Sequence, residues 1–407
     1  MSQLPLMEPF GAATKSNPYP IYAHLRAHRP VHRLPLPDGR GLWLITRYDD
    51  VERALRNPRL VKNPRNALDL DQLPLFPDEA RPMLEHMLSA DPPVHTRLRA
   101  LVHKAFTPRL VERLRPRVQQ IADKLLDSVQ HQGEAGKMDL IDDYAFPLPI
   151  IVITELLGVP SKDGAKFRAW SNAVVGVEVA GDCELFPEPR RAALTNFAAY
   201  LRSLFEEKRA NPKDDLVSAL LLAEEEGDTL SEGELVAMVF LLLIAGHETT
   251  VNLIGNGVLA LLRHPDQLRK LRDDLTLIGP AVEELLRYDG PVETSTFRYA
   301  AEDITIDGVT IHKGDTVLVV LASANRDAAR FADADQLNIT RADNRHLAFG
   351  KGIHFCLGAP LARMEGQIAI GTLIRRMPAL QSAVPLDQLE WRPGTLIRGL
   401  RAFPVRF

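Results

Sequence analysis

Of two cysteines in 407 residues, Cys183 and Cys356, the second sits in a setting suited to chemistry. It lies in Phe349-Gly350-Lys351-Gly352-Ile353-His354-Phe355-Cys356-Leu357-Gly358, with two glycines before the sulfur and one after. Glycine permits tight turns and close backbone approach to a flat group. Ala359-Pro360 then opens a helix, so the sulfur faces free N–H groups and the positive end of the dipole. That environment favours thiolate, and hydrogen bonds to the sulfur would tune a bound metal. Other readings exist. A phosphate cradle fails, because Phe355 stands where the dinucleotide fingerprint needs its third glycine. A buried apolar filler is the commonest fate of a free cysteine. Zinc lacks a Cys-x-x-Cys partner or a histidine cluster.

Ala245-Gly246-His247-Glu248-Thr249-Thr250 lies inside a long helical pattern. A small residue leaves space beside the helix. An adjacent acid and alcohol can relay protons through ordered water. Threonine can also bond back to a carbonyl one turn earlier and loosen the helix. A zinc-protease reading of His247-Glu248 fails, since the second histidine would fall on Val251. The bland reading is a polar interruption of a core helix. Glu284 and Arg287, three apart on one helix face, read as an ion pair. His95 and Arg99 share a helix face, Arg298 closes a strand, and His354 lies two residues before Cys356. Each alone reads as a solvated charge.

Together these segments resemble the cytochrome P450 family. The ten-residue segment matches its haem-binding loop, Phe-Gly-x-Gly-x-x-x-Cys-x-Gly, at every fixed position, and the other features occur in the same chain order. The resemblance covers essentially the whole chain and looks like the soluble bacterial macrolide- and polyketide-oxidising group. It implies haem b with Cys356 as axial thiolate and metal ligand. Glu248 and Thr249 take the catalytic acid–alcohol positions. Gly246, Phe349, Gly350 and Gly358 border the cofactor, and His95, Arg99, Arg298 and His354 match its propionate partners. The Glu284–Arg287 pair becomes a buried brace beneath the haem loop. The family often adds a further arginine where Gln336 stands here, which leaves Arg341 and His346 as candidates for the third partner.

The implied activity is a monooxygenase that inserts one atom of O2 into a C–H bond by hydroxylation, or epoxidises, an apolar small molecule such as a macrolide, terpenoid, steroid or fatty acid. The matching pocket positions are Leu242, Ala245, Val292, Thr294, Ser295, Leu396 and Ile397, with the 63–90 loop and the break near Gly181. These side chains are mostly apolar, although Arg65 or Arg81 could serve as a carboxylate clamp. The chain has no room for its own reductase domain. NAD(P)H electrons are therefore expected through a ferredoxin or flavodoxin and its reductase, docking on a positive patch that includes Arg97, His103, Lys104 and Lys351. A peroxygenase fed by H2O2 would carry an arginine-based arrangement in place of Glu248-Thr249. A haem sensor or carrier without turnover would not need the relay.

The elements that must hold these residues are mainly helices, with a small β region. Strands are expected at 31–34 and 42–46 around a turn at 37–41, and short ones at 294–299, 304–311 and 315–320. Helices are expected at 17–28, from Asp91-Pro92-Pro93 onward, and at 108–131, 142–157, 161–177, 188–209, 214–225, 280–288 and 359–377. The longest, 231–263, opens on a Ser231/Glu234 capping box, would span roughly 50 Å, and crosses the core because its middle is apolar all round. The haem is expected between this helix and the one after Cys356, in a single domain of residues 1–407. Net charge is −4, from 49 basic and 53 acidic residues, which gives no drive toward nucleic acid or anionic lipid. The N-terminus has no apolar leader pattern, and the 235–245 run is too short to span a bilayer. A monomeric, cytoplasmic protein without membrane attachment is expected.

Overall fold

The computed structural model describes residues 10–35, 41–69, 73, 77, 81–132, 136–164, 166–167, 169–170, 188–225 and 227–407. Residues 171–187 lie outside them, and with these Cys183, most of the expected break at 181–189 and the end of the helix expected at 161–177. The chain forms two compact units. The first comprises Met1–Asp71, Gln119–Phe146 and Thr249–Phe407, and the second Gln72–Val118 and Pro147–Glu248. The chain passes between them four times, so no single linker divides them. Helices dominate, with small sheets.

The first unit holds a five-stranded sheet. Its strands are β1 (Val31–Pro35), β2 (Gly41–Ile45), β3 (Leu60–Val61), β4 (Arg298–Ala300) and β5 (Thr316–Val319), in the order β1-β2-β5-β4-β3. β5 runs parallel to β2 and antiparallel to β4, with Val317 opposite Arg298, so Arg298 is set in the sheet interior. Trp43, Ile45, Leu55, Ala300, Val317 and Val319 form the core beneath it. A second core joins the end of the long helix to Ile278–Asp289 and Ala359–Arg376, through Leu253, Leu261, Leu285, Ile370 and Ile374. Gly366 lets these helices close up: a Cβ there would fall 2.9 Å from Leu253 Cδ2.

The second unit is helical, with Val94–Ala105, Pro147–Leu157, Glu188–Ala210 and Leu216–Leu222. Phe167 anchors an aromatic core, its ring 5.4 Å from Phe197 and 5.1 Å from Tyr200. The central helix, Glu232–Arg263, begins in this unit and continues into the first. Its capping box forms: Ser231 N donates to Glu234 Oε2 at 2.9 Å, and Glu234 N to Ser231 Oγ at 3.3 Å.

Several expected elements differ. The helix after Asp91-Pro92-Pro93 starts at Val94 with Pro93 as its N-cap, and no side chain caps it. Pro92 and Pro93 have no N–H to be capped, and Asp91 accepts from His95 through its backbone oxygen. The helix expected at 142–157 is split. A π-helical turn, Leu140–Ala145, is capped by Asp139, and a separate helix starts at Pro147, whose missing N–H breaks the ladder. The helix expected at 214–225 covers only Leu216–Leu222, with Asp215 as its cap. Helices Tyr48–Arg56 and Pro265–Asp273 are additional to the expected elements: the first buries Tyr48, Val51, Ala54 and Leu55 at helical spacing, and the second has only Leu268 and Leu271 to mark its face. By length and composition alone the central helix could cross a bilayer. However, 67% of its most apolar window is buried inside the fold, as in a core helix.

Candidate active site

The Cys356 loop is shaped by its glycines. Gly350 and Gly352 have φ of 68° and 74°, a region that side chains with a Cβ avoid. A Cβ on Gly352 would also lie 3.0 Å from the Leu55 carbonyl oxygen. Between these bends the backbone folds back on itself: Gly350 N donates to Leu347 O at 2.8 Å, and Cys356 N to Phe349 O at 2.9 Å. Gly358 is the N-cap of helix Ala359–Arg376, and Pro360 occupies its first turn. Cys356 is therefore an exposed thiol just before a helix N-terminus, where the dipole favours its anion.

Helix Ile278–Asp289 carries a fully buried ion pair. Arg287 Nε and Nη2 each lie 2.8 Å from a carboxylate oxygen of Glu284, and neither side chain is exposed. Arg287 Nη1 also donates to the carbonyls of Asn325 and Ala334, both at 2.8 Å. Arg341 is the third partner, with Nε 3.1 Å from Glu284 Oε2. Gln336 stands where a further arginine was sought, and only its carbonyl takes part, accepting from both guanidiniums. His346 instead faces Glu283 at 3.2 Å, and Arg363 of the helix after Cys356 grips the same carboxylate at 2.7 and 2.8 Å. Burial pushes the Glu283 carboxyl up, but the hydrogen bonds and charges of His346 and Arg363 outweigh it and hold the pKa at about 2. Glu283 and Arg363 were not picked out from sequence. They tie the segment before the loop and the helix after it to Ile278–Asp289.

Arg298 is buried on β4 and donates to Leu60 O at 3.2 Å, while His354 is half-buried in the Cys356 loop. In the second unit, His95 is buried one turn from half-buried Arg99. Burial first, and then the Arg99 charge, depress its pKa. On the central helix, Leu242, Ala245, Gly246 and Thr249 lie at helical spacing and are exposed or half-buried, an open stripe on a largely buried helix. A Cβ on Gly246 would meet Ile153 Cδ1 at 3.4 Å, so the residue also permits close packing. Glu248 is half-buried, and His247 turns inward, with Nδ1 2.9 Å from Leu243 O.

A second acid was missed by the sequence reading. Glu365, on the helix after Cys356, is 1% exposed. Thr250 hydrogen-bonds its carboxyl group, while Oε2 has no protein partner. Burial pushes its carboxyl up to about 8, and the Thr250 bond offsets only part of this. The group is thus largely protonated at neutral pH.

Segments 290–296 and 394–400 lie side by side. Val292 bridges Ile397, and Glu293 N donates to Leu396 O at 2.8 Å. Val292, Ser295 and Ile397 are half-buried and Leu396 is exposed. Thr294 departs from the expectation of a pocket-lining residue. It is fully buried, and its hydroxyl donates to Ser295 O and Thr395 O, so it faces the neighbouring 394–400 segment. Arg97 is likewise taken out of the expected cationic patch by ion pairs to Asp228 and Glu234.

The donor set suits haem. No group of three or more His, Cys, Asp or Glu side chains among the described residues could hold a bare metal ion. One exposed thiol suits a metal that brings a macrocycle of its own. Phe297, Ile353 and Phe355 are large apolar side chains left exposed in the thiol-bearing unit, as a flat apolar ring requires.

Residues 186–390 match the sequence pattern of the family described as Cytochrome P450. The chain is 50% identical to the vitamin D(3) 25-hydroxylase of Pseudonocardia autotrophica, covering 97% of this chain and 95% of that one. It is 48% identical to the cytochrome P450 monooxygenase PikC of Streptomyces venezuelae, covering 96% and 91%. A myxobacterial P450, CYP267B1, solved in complex with myristic acid, superposes with a TM-score of 0.91 at 47% identity over 98% of both chains. This family works with thiolate-held haem and O2. The chain belongs to the cytochrome P450 family and is a P450 monooxygenase of the bacterial macrolide- and polyketide-oxidising group.

Proposed function

We propose that Cys356 would hold the haem iron as a thiolate, and that the enzyme hydroxylates a C–H bond of an apolar or amphipathic small molecule of macrolide, steroid or fatty-acid type. The observation that carries this reading is the exposed Cys356 thiol at a helix N-terminus, inside a loop bent by two positive-φ glycines. Bound haem supplies the redox-active iron on which the oxygen chemistry depends. The protein's own residues do the rest. The helix dipole favours the Cys356 thiolate, whose electron donation would tune the iron. Glu248 and Thr249 hold and pass protons, Thr249 from the open stripe of the central helix. His95 and Arg99 of the second unit, and Arg298 and His354 of the first, are the residues that would pair with the cofactor's two carboxylates. Phe349, Gly350, Gly358 and Gly246 shape the space for the ring. Leu242 and Ala245 of the second unit, and Val292, Ser295, Leu396 and Ile397 of the first, are the side chains assigned to the substrate wall, and Thr294 braces the latter group.

In this reading the enzyme works in the cytoplasm as a monomer and takes NAD(P)H electrons from a ferredoxin or flavodoxin and its reductase. The substrate range is supported by relatives named for vitamin D(3) 25-hydroxylation and for binding myristic acid, and by the apolar character of the pocket side chains. The test is turnover of myristic acid and of a macrolactone under isotopically labelled O2, with a bacterial ferredoxin and its reductase. One labelled oxygen in the product supports the proposal. Product that carries oxygen only from water or from added H2O2 contradicts it.

A further inference from the structure

Segments 290–296 and 394–400 hold four of the side chains assigned to the substrate wall, Val292, Ser295, Leu396 and Ile397. Few backbone bonds join the two segments directly, because neither is a regular strand there. Two are the Glu293 N–H to Leu396 O bond and the Arg398 N–H to Pro291 O bond at 2.9 Å, which together make the Val292–Ile397 bridge. Behind them lies a buried ionic cluster that no local pattern in the sequence announces. Glu293 is fully buried, accepts from the Lys15 ammonium, and accepts from the Tyr22 hydroxyl at 2.5 Å. Lys15, itself 1% exposed, also donates to Gly394 O at 2.6 Å. Arg398 donates to Asp289 at 2.6 Å and to the backbone oxygens of Lys15 and Ser16, and its guanidinium lies 3.6 Å from the Trp391 ring centroid.

Each wall segment thus contributes one buried charge, Glu293 in the first and Arg398 in the second. Both charges reach the N-terminal stretch around Lys15. The Lys15 ammonium is bonded to one segment through the Glu293 carboxylate and to the other through the Gly394 carbonyl. Glu293 sits between Val292 and Thr294, and Gly394 lies two residues before Leu396. The Cys356 loop has its own brace, through Glu283, His346 and Arg363. Loosening Lys15 therefore shifts the wall while leaving that brace intact.

We propose that Lys15 is a positioning residue for substrate selection: by bridging Glu293 and the Gly394 carbonyl it sets the spacing of wall segments 292–295 and 396–397. This rests on the reading that those segments line the substrate pocket.

The test compares two ligands with the same iron-coordinating group and different bulk, imidazole and the triaryl imidazole clotrimazole. Both are titrated into the holoenzyme by the shift of the haem Soret band. Lys15→Met is the first variant. Lys15→Met/Glu293→Gln is the second, since it leaves no unpaired charge buried and keeps the protein foldable. Leu396→Trp checks the wall itself. Both Lys15 variants should weaken clotrimazole about tenfold, a loss near 1.4 kcal/mol, with imidazole affinity unchanged. Equal losses for the two ligands would reduce Lys15 to a general staple and overturn the proposal, as would wild-type affinity for both. Leu396→Trp with wild-type clotrimazole affinity would overturn the pocket reading. A changed affinity in Leu396→Trp beside unchanged Lys15 variants would overturn the Lys15 role alone.

Discussion

Arg341 Nε lies 3.1 Å from Glu284 Oε2 and joins, from 57 residues along the chain, the buried pair that Glu284 forms with Arg287. The two guanidiniums share one carboxylate and also share the Gln336 carbonyl. A buried carboxylate with a full set of donors is stable, but removing a partner exposes its desolvation cost. The arrangement holds segment 325–344 against Ile278–Asp289.

Arg341→Ala should therefore cost about 3 kcal/mol, at the low end for a broken buried pair because Arg287 remains. Arg341→Lys should recover part of this, since it keeps the charge but loses the fork that reaches the Ala332 and Asp333 carbonyls. His346→Ala should cost less than Arg341→Ala, because Arg363 still holds Glu283. Urea unfolding of the three holoproteins checks the order. A larger loss in His346→Ala would mean that Glu283, not Glu284, anchors the loop.

Glu365 should make stability depend on pH. Its folded pKa is raised to about 8 from a model-peptide value of 4.5, so the folded state holds a proton that the unfolded state releases. The stabilisation is fully present below about pH 4.5, declines as pH rises toward 8, and is lost above it. Glu365→Gln keeps the neutral shape and removes the titration. Its melting temperature relative to wild type should thus rise steadily from pH 5 to pH 8.5. Parallel melting curves across that range would show that Glu365 is already ionised in the fold.

Thr249→Ala should uncouple turnover. Without the hydroxyl, reducing equivalents are still consumed, but protons arrive out of order. The yield of product per NADPH should fall at least about tenfold, short of the roughly hundredfold or more that a positioned proton donor can contribute, while released peroxide rises. Product and peroxide assays on the same sample check this. Coupling retained at the wild-type level would remove Thr249 from the relay.

What the sequence revealed followed how local each feature is. The Cys356 loop was legible because its glycines, thiol and following Ala359-Pro360 lie within twelve residues and each has one conformational reason to be there. The Ser231 capping box was legible for the same reason. The third partner of the Glu284–Arg287 pair stayed open between Arg341 and His346, because only the folded chain shows which of the two side chains reaches Glu284 and which Glu283. Glu365 carries a faint signal, a lone acid whose helical neighbours Leu361, Met364, Ile368 and Ala369 are apolar. Lys15 and Glu293 lie 278 residues apart, and no periodicity links them. Thr294 was misassigned because alternation along an irregular segment does not say which face looks inward.

The central claim is that Cys356 binds the haem iron as a thiolate, and the absorbance of the dithionite-reduced, carbon monoxide-bound holoprotein tests it most directly. The account predicts a strongly red-shifted Soret band in the wild type and its loss in Cys356→Ser. An unshifted band in freshly prepared wild type, or the same spectrum in wild type and Cys356→Ser, would contradict it.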